Sequence, residues 1–416
     1  MKIKIIFRFT RENRNSIAYL LGALENRGFT NDIILSEDII NDVVTFSDRK
    51  IIVLYSLMAT QIPNLYYEVK DLYSLKKKYD IVLVAGGPYP SGDPTGAIKM
   101  GFDYVVLGEG EDTLPKLLLR LIHEKSVEDI NGIAFRDNDR ILIKPNLTPV
   151  DLNAYPPCSD RFRLHPPIEI SRGCTYRCKY CQVPRLFLGG VRHRSIDYIV
   201  KYARHYARMG IRDLRFIAPN GFGYGSRDGK SPAPKSLKKL LRALKEIKDI
   251  RIFLGTFPSE VRPDFVTREI LDIISKYVSN RRIVIGVQTG SNRLLSYINR
   301  DHTVEDCYRA AEIVLEYGFT PYLDFLFGLP TENEEDIDRT IEVMKDFINM
   351  GAIIRGHTFI PLPGTPFENS PPGRVHPKLK KFLERMIGKG VIKGEWRQQE
   401  KLAHDVVKVL KMIRDS

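Results

Sequence analysis

Cysteine is scarce in this chain. Five occur in 416 residues, and none precedes Cys158. A sparse, odd set argues against a disulfide framework and leaves reduced thiols for metal ligation. Histidine is missing from residues 1 to 122, so that part of the chain can offer no imidazole to a metal. No apolar run reaches the roughly 20 residues that a membrane-spanning helix needs. The opening MKIKIIFRFTREN has neither the apolar length nor the small-residue cleavage site of a secretory leader. The expectation is a soluble, cytoplasmic protein. No short-period repeat and no low-complexity tract interrupts it. What is present suits a folded chain: 43% hydrophobic and 28% charged residues can build full cores, over about two to three domains.

The formal charge is +13, which suits either a Lys- and Glu-rich surface or a polyanionic partner such as RNA. The excess is uneven. Residues 374–416 hold 12 Lys/Arg against 5 Asp/Glu, a net of +7. The same segment carries Val406, Val407, Leu410 and Ile413 at helical spacing. A solvated face of an amphipathic helix therefore explains the charge without RNA.

Strand-like and helix-like runs alternate from the start. KIKIIFRF, NDIILS, KIIVLYSL, DIVLVAGG and DYVVLG read as strands, with helical periodicity between most of them. That pattern predicts a doubly wound parallel sheet over residues 1–125. A hairpin about Asp137-Asn138-Asp139 and a Pro-rich linker follow, over 126–166. A second alternation begins at PIEIS, residues 167–171. Five more strands lie at 212–218, 251–257, 281–288, 320–328 and 353–359, separated by helical segments. Six βα units over 167–370 predict a partial (β/α)6 barrel, with its chemistry at the C-terminal strand ends. Residues 371–416 read as a basic helical segment.

CTYRCKYC directly follows the first barrel strand, so it lies at that rim. Cys174, Cys178 and Cys181 stand at i, i+4 and i+7 and can converge if the loop curls. Gly173 allows the close turn, and Arg177 and Lys179 are placed to lower the thiol pKa. Structural zinc is closed and four-coordinate, so it needs a fourth ligand. His193 and His165 are nearest, at no usual spacing. Three thiols suit instead a 4Fe-4S cluster with one iron left open for substrate or cofactor.

This run resembles the C-x3-C-x2-C motif of the radical S-adenosylmethionine (radical SAM) enzymes, including the aromatic before the last cysteine. The resemblance implies that each of the three cysteines binds one iron and that SAM chelates the fourth. It implies reductive cleavage of SAM to a 5′-deoxyadenosyl radical, with the electron from a donor such as ferredoxin or flavodoxin. It places Tyr180 against the adenine. Asn220 and Gly221 stand where the family often has a Gly-Gly-Glu turn for the SAM amino group. GVQTGS and YINRDHT resemble a stretch of the methylthiotransferases, implying Gln288 and Ser291 at the ribose and Arg300 at the SAM carboxylate. FIPLPGTPF, with Ile360, resembles the stretch that closes over adenine. The blander reading of each is ordinary strand-end and turn chemistry. Asp324, on the fifth strand, is a candidate for orienting the substrate or a structural carboxylate of the barrel.

The first domain resembles cobalamin-binding domains. Ser56-Leu57-Met58 ends the third strand, Gly86-Gly87-Pro88 ends the fourth, and GFDYVVLGEGEDTL brings Gly108 and Glu109. Open α/β sheets bind ligands at that edge. The D-x-H-x-x-G part of the pattern is absent; Phe9-Thr10-Arg11-Glu12-Asn13-Arg14 occupies its place. The resemblance thus implies cobalamin bound without a histidine below the cobalt. A plain flavodoxin-like domain, with Gly-Gly-Pro as a mere turn, is the alternative. Methylthiotransferases carry a second cluster on three N-terminal cysteines, which this chain lacks. Cys158, in the linker, and Cys307, on a helix, read as incidental.

These resemblances together imply a cobalamin-dependent methyltransferase: the radical takes hydrogen from an unactivated carbon, and methylcobalamin supplies the methyl group. The rivals are a radical SAM enzyme that rearranges or couples carbon or sulfur skeletons beside a structural first domain, and a zinc-containing RNA-binding protein.

Overall fold

The computed structural model describes residues 3–29 and 32–415. Its first sheet contains β1 (Ile3–Arg8), β2 (Asp32–Ser36), β3 (Lys50–Ser56), β4 (Ile81–Gly86) and β5 (Tyr104–Val106), all parallel, in the order 2-1-3-4-5. This is the flavodoxin-like order, with its crevice where the chain switches direction between β1 and β3. The strands are almost wholly apolar because helices cover both faces. Ile5, Phe7 and Leu54 pack under helices 14–26 and 110–122, while Ile6, Val53 and Tyr55 pack under helix 62–75.

The expected hairpin is present as β6 (Ile133–Asp137) and β7 (Arg140–Lys144). It does not stand apart from the first domain. It extends the sheet, with β6 antiparallel to β5 and Tyr104 opposite Phe135. Ile133 and Phe135 enter the same core as Leu117 and Leu118, and that burial places the hairpin on the sheet.

The second unit contains β8 (Ile168–Glu169), β9 (Ser171–Arg172), β10 (Arg192–His193), β11 (Asp213–Ile217), β12 (Arg251–Phe253), β13 (Arg282–Gln288), β14 (Thr320–Phe327), β15 (Ile353–Thr358) and β16 (Ile392–Lys393). Parallel ladders run 12-11-8 and 13-14-15-16. A bridge between Val261 and Ile285 joins them into a curved partial barrel; β9 and β10 form a small antiparallel ribbon. RIFLGTF reads as a strand to Phe257, but β12 ends at Phe253. Gly255 adopts φ +78, and a Cβ there would lie 2.9 Å from the Phe222 ring. Along β14, Leu323, Phe325 and Phe327 are buried in the barrel's helix-covered core, whereas Tyr322, Asp324 and Leu326 alternate with them on the lumen side.

The C-terminal helix Trp396–Asp415 joins the two units. Trp396 lies in the barrel core, while Val406, Val409, Leu410 and Ile413 lie in the core of the first sheet. Its apolar stripe thus covers protein, as the spacing predicts. Part of the segment's charge is paired: Lys380 with Glu400 at 2.7 Å, Arg397 with Glu384 at 3.0 Å, and Arg414 with Asp93 of the first domain at 3.5 Å. Among the described residues, no helix is long and apolar enough to cross a membrane.

A buried ion network fixes the barrel entrance to the first domain. Arg172 donates to both oxygens of Glu169 at 2.8 and 2.9 Å, to Glu109 at 2.9 Å and to Glu111 at 2.5 Å. Arg192 also holds Glu109, and Arg194 holds Glu169 at 2.8 Å. Arginine suits this place because its planar fork carries five N–H donors. Burial alone pushes the Glu111 carboxyl up, but the Arg172 guanidinium more than reverses this and holds it below its usual value.

Two outcomes are expected. Leu410→Ala costs about 2–5 kcal/mol through the cavity it leaves, read as a lowered thermal midpoint, whereas charge reversal at exposed Lys411 leaves that midpoint unchanged. Arg172→Ala costs about 3–5 kcal/mol, because it strands buried carboxylates. Since Glu111 is held ionised, its contribution is present above the ordinary carboxylate range and is lost as pH falls through the depressed value. The Arg172→Ala penalty, followed by thermal melts across pH, should therefore shrink on acidification.

Candidate active site

The cysteine loop begins at Gly173, whose φ is +82 and where a Cβ would stand 2.0 Å from the Gly190 carbonyl oxygen. Only glycine fits that approach. Cys174, Cys178 and Cys181 then line one cavity of about 240 Å³, together with Tyr176, Tyr180, Asn220, Glu260, Arg262, Gln288, Arg300 and Asp324. Arg185 ties the loop by donating from Nη1 to the carbonyls of Cys178 and Cys181, at 3.2 and 2.8 Å.

The cations expected to tune the thiols are different ones. Arg177 is exposed and Lys179 lies 4.1 Å over the Tyr297 ring. Arg300 takes the role: its Nη1 lies 3.8 Å from the Cys178 sulfur. Arg262 stacks 3.4 Å over Tyr176, behind the thiols. Burial pushes the Cys181 thiol up to about 11 and also raises Cys174, with Arg300 pulling both part of the way back. Burial therefore disfavours the thiolate at Cys174 and Cys181, and a metal that ligates them would supply the charge that stabilises it.

The cavity fits an iron cluster and a charged ligand. Three sulfurs share one wall, too few to close a structural zinc shell. Arg300 Nε and Arg262 Nη1 are buried without a hydrogen-bond partner in the protein, donors suited to a ligand carboxylate. Gln288 sits beside them at φ +78, where the β13–β14 register shifts. Arg300 Nη2 donates to the Gly286 carbonyl at 2.9 Å.

Three of the expected residues are not on this lining. Gly221 packs against the Ser259 backbone, where a Cβ would stand 2.2 Å from its carbonyl oxygen. The Ser291 hydroxyl caps helix 292–297 and donates to Asp336 at 2.6 Å. Ile360 packs against the first domain's core. Asp324 does line the cavity. Its carboxylate lies 3.3 Å from Arg355 and 3.8 Å from His357. Burial, followed by the Asp324 charge, raises the Glu260 carboxyl nearby. Glu260, Arg262, Arg355 and His357 escaped the reading of the sequence. For the last two a signal existed: in IIRGHT they sit two apart, on one face of a barrel strand.

A second cavity, of about 350 Å³, opens at the C-terminal edge of the first sheet. All seven expected residues line it: Ser56, Met58, Gly86, Gly87, Pro88, Gly108 and Glu109. Glu12, Asn13 and Ser16, on the segment that replaces the histidine motif and the turn after it, line it too. Small residues form the rim, and Gly87 at φ +96 has no room for a Cβ, which would stand 2.9 Å from Leu57 N. That small-residue rim suits a cobalamin tail, and the lining holds no histidine to offer cobalt an imidazole. Glu109 is held by Arg172, Arg192 and the Val150 amide, so it shapes the wall.

The two cavities lie on either side of one short helix, Val183–Leu186. Val183 and Pro184 line the first; Leu186 and the adjoining Phe187 line the second. Gln182 pins this junction by donating to the carbonyls of Pro88 and Pro363, at 3.1 and 2.8 Å.

Gly286 gives a direct check of the first cavity. A Cβ there would stand 2.7 Å from Arg300 Nη2 and 2.8 Å from Gln288 Nε2. Gly286→Ala should weaken SAM binding about tenfold or more, since one displaced charge-assisted hydrogen bond is worth about 1.5–3 kcal/mol. Equilibrium binding to the iron-loaded protein reads this, with iron content unchanged.

Residues 168–344 match the Radical SAM superfamily, and residues 8–118 match the B12 binding domain. An uncharacterized protein of Methanopyrus kandleri is 26% identical, over 82% of this chain and 73% of its own length. A putative methylthiotransferase of Methanocaldococcus jannaschii is 25% identical, over 79% and 70%. In fold, the chain is similar to the radical S-adenosylmethionine methyltransferase TsrM of Kitasatospora setae, whose structure holds cobalamin and a 4Fe-4S cluster. That likeness has a TM-score of 0.69, with 18% identity, over 90% of this chain and 79% of that one. The cobalamin-dependent radical enzyme OxsB aligns with TM-score 0.63 and 17% identity, over 99% and 56%. The cysteine loop and the cavity it lines thus lie in a Radical SAM superfamily domain, which follows a B12 binding domain in the same chain.

Proposed function

We propose that this enzyme is a cobalamin-dependent methyltransferase that acts on an unactivated carbon. The observation that carries the reading is the pair of cavities on either side of the helix Val183–Leu186. When bound, the cluster with SAM supplies a 5′-deoxyadenosyl radical, and methylcobalamin supplies a methyl group. The chain's own residues do the rest. Arg300 and Arg262 hold the SAM carboxylate, Gln288 its ribose side and Tyr180 its adenine. Asp324, Arg355, Glu260 and His357 make a polar floor that orients the substrate. Leu186 and Phe187 keep water from the space between the cofactors. Radical SAM enzymes need an electron donor, and a small acidic protein of the ferredoxin or flavodoxin class suits a chain of net charge +13. The methylthiotransferase relatives suggest sulfur insertion instead, but no cysteine precedes Cys158 to hold a second cluster.

The test is an anaerobic cobalamin titration of the iron-loaded protein, followed by its visible spectrum and by gel filtration. The wild type should retain the corrinoid, and Gly86→Phe should lose it while about four irons per chain remain. Absence of both spectral change and retention in the wild type sinks the reading. Comparing cell extracts with and without the gene by mass spectrometry should then reveal a product lacking one CH₂.

A further inference from the structure

A second constellation of metal-type donors lies away from both cavities. The hairpin closed by the Ser159–Leu164 bridge, with hydrogen bonds of 3.0 Å each way, brings Cys158, Asp160 and His165 to one side. Helix Ile196–Arg208 brings His205 to meet them. The sulfur, one carboxylate oxygen and one nitrogen from each ring all lie within 4.8 Å of one another. Both imidazole Nε2 atoms already converge on a single oxygen, Asp160 Oδ1, at 3.0 and 2.9 Å. Cys158 is buried and has no disulfide partner. The Asp160 carboxylate is half-exposed, which leaves ions a way in.

The donor chemistry is selective. One thiol, two imidazoles and one carboxylate form a mixed set of four, which suits a tetrahedral divalent cation of borderline softness. Calcium and magnesium prefer all-oxygen shells. Four protein donors leave no open position, which marks a structural site and not a catalytic one. We infer that Cys158, Asp160, His165 and His205 form a structural zinc site that clips the interdomain linker to the first helix of the barrel.

The surroundings give the clip its purpose. Phe162 and Leu164, in the same hairpin, pack into the core of the first domain. Ser159 donates to Glu25 of that domain, and Gly22 lies so close to the Cys158 carbonyl that a Cβ there would stand 2.4 Å away. His205 and Cys158 belong to the barrel side, with Cys158 in the barrel core. One ion would therefore hold both domains at the segment that joins them.

The experiment counts zinc and iron together, by plasma mass spectrometry, on protein purified anaerobically and washed with chelator. The wild type should carry about one zinc per chain beside its iron. Cys158→Ala and His205→Ala should each fall below about one-tenth of a zinc while keeping their iron. The chain with alanine at 174, 178 and 181 should lose iron and keep zinc, so failure of the cluster reading and failure of this one are separable. That triple variant, produced with cobalt(II) in place of zinc, should show a thiolate charge-transfer band that Cys158→Ala abolishes. Wild-type protein without zinc, zinc undiminished by the Cys158 and His205 variants, or cobalt without that band each overturns the site.

Discussion

Arg172 is the side chain on which the two halves of this protein depend. It leaves the barrel's first strand segment, one residue before the cysteine loop, and meets carboxylates from both domains. Its worth in net stability is modest, since desolvation offsets much of the attraction within a buried pair. Its worth in geometry is greater. Every donor–acceptor direction in the cluster is fixed by a planar fork, so the domains dock in one register. Arg172 and Glu109 also line the second cavity. The same contact therefore sets the distance between the thiols and the sheet edge of the first domain.

Polarity inside the barrel follows from the alternation of its strands. Outward residues such as Phe325 and Phe327 form the apolar core, which frees the alternate positions for Asp324, Arg355 and His357. A barrel filled with branched apolar side chains would be more stable and would have no site. Here charges are buried in partial pairs, and several of their donors and acceptors lack protein partners. Such unsatisfied groups cost stability when the cavity holds no ligand to match them.

The fold was legible in the sequence because its signals are local. Apolar runs of strand length, helical periodicity between them and glycines at strand ends all act within a few residues. The thiols and the seven residues of the second cavity were legible for the same reason, since each group sits in one short motif. The hairpin at 133–144 was visible as a hairpin, but its place on β5 depends on a core that residues from distant segments build. Arg300 was visible through its motif, whereas Arg262 acts through a contact across the barrel that no spacing encodes. Ser291 stood in the right stretch, yet the helix that follows it took its hydroxyl as a cap. Local hydrogen bonding competes with ligand binding for such residues.

The C-terminal helix has a consequence for how this molecule can be divided. Trp396 sits in one core and Ile413 in the other, and the helices that this segment packs against, 62–75 and 94–100, lie roughly three hundred residues earlier in the chain. The first domain is contiguous in its sheet but not in its interior. A cut between residues 125 and 167 would leave the first domain without the C-terminal residues that complete its core. The outermost segments of the chain interlock, so the first domain is not a detachable module.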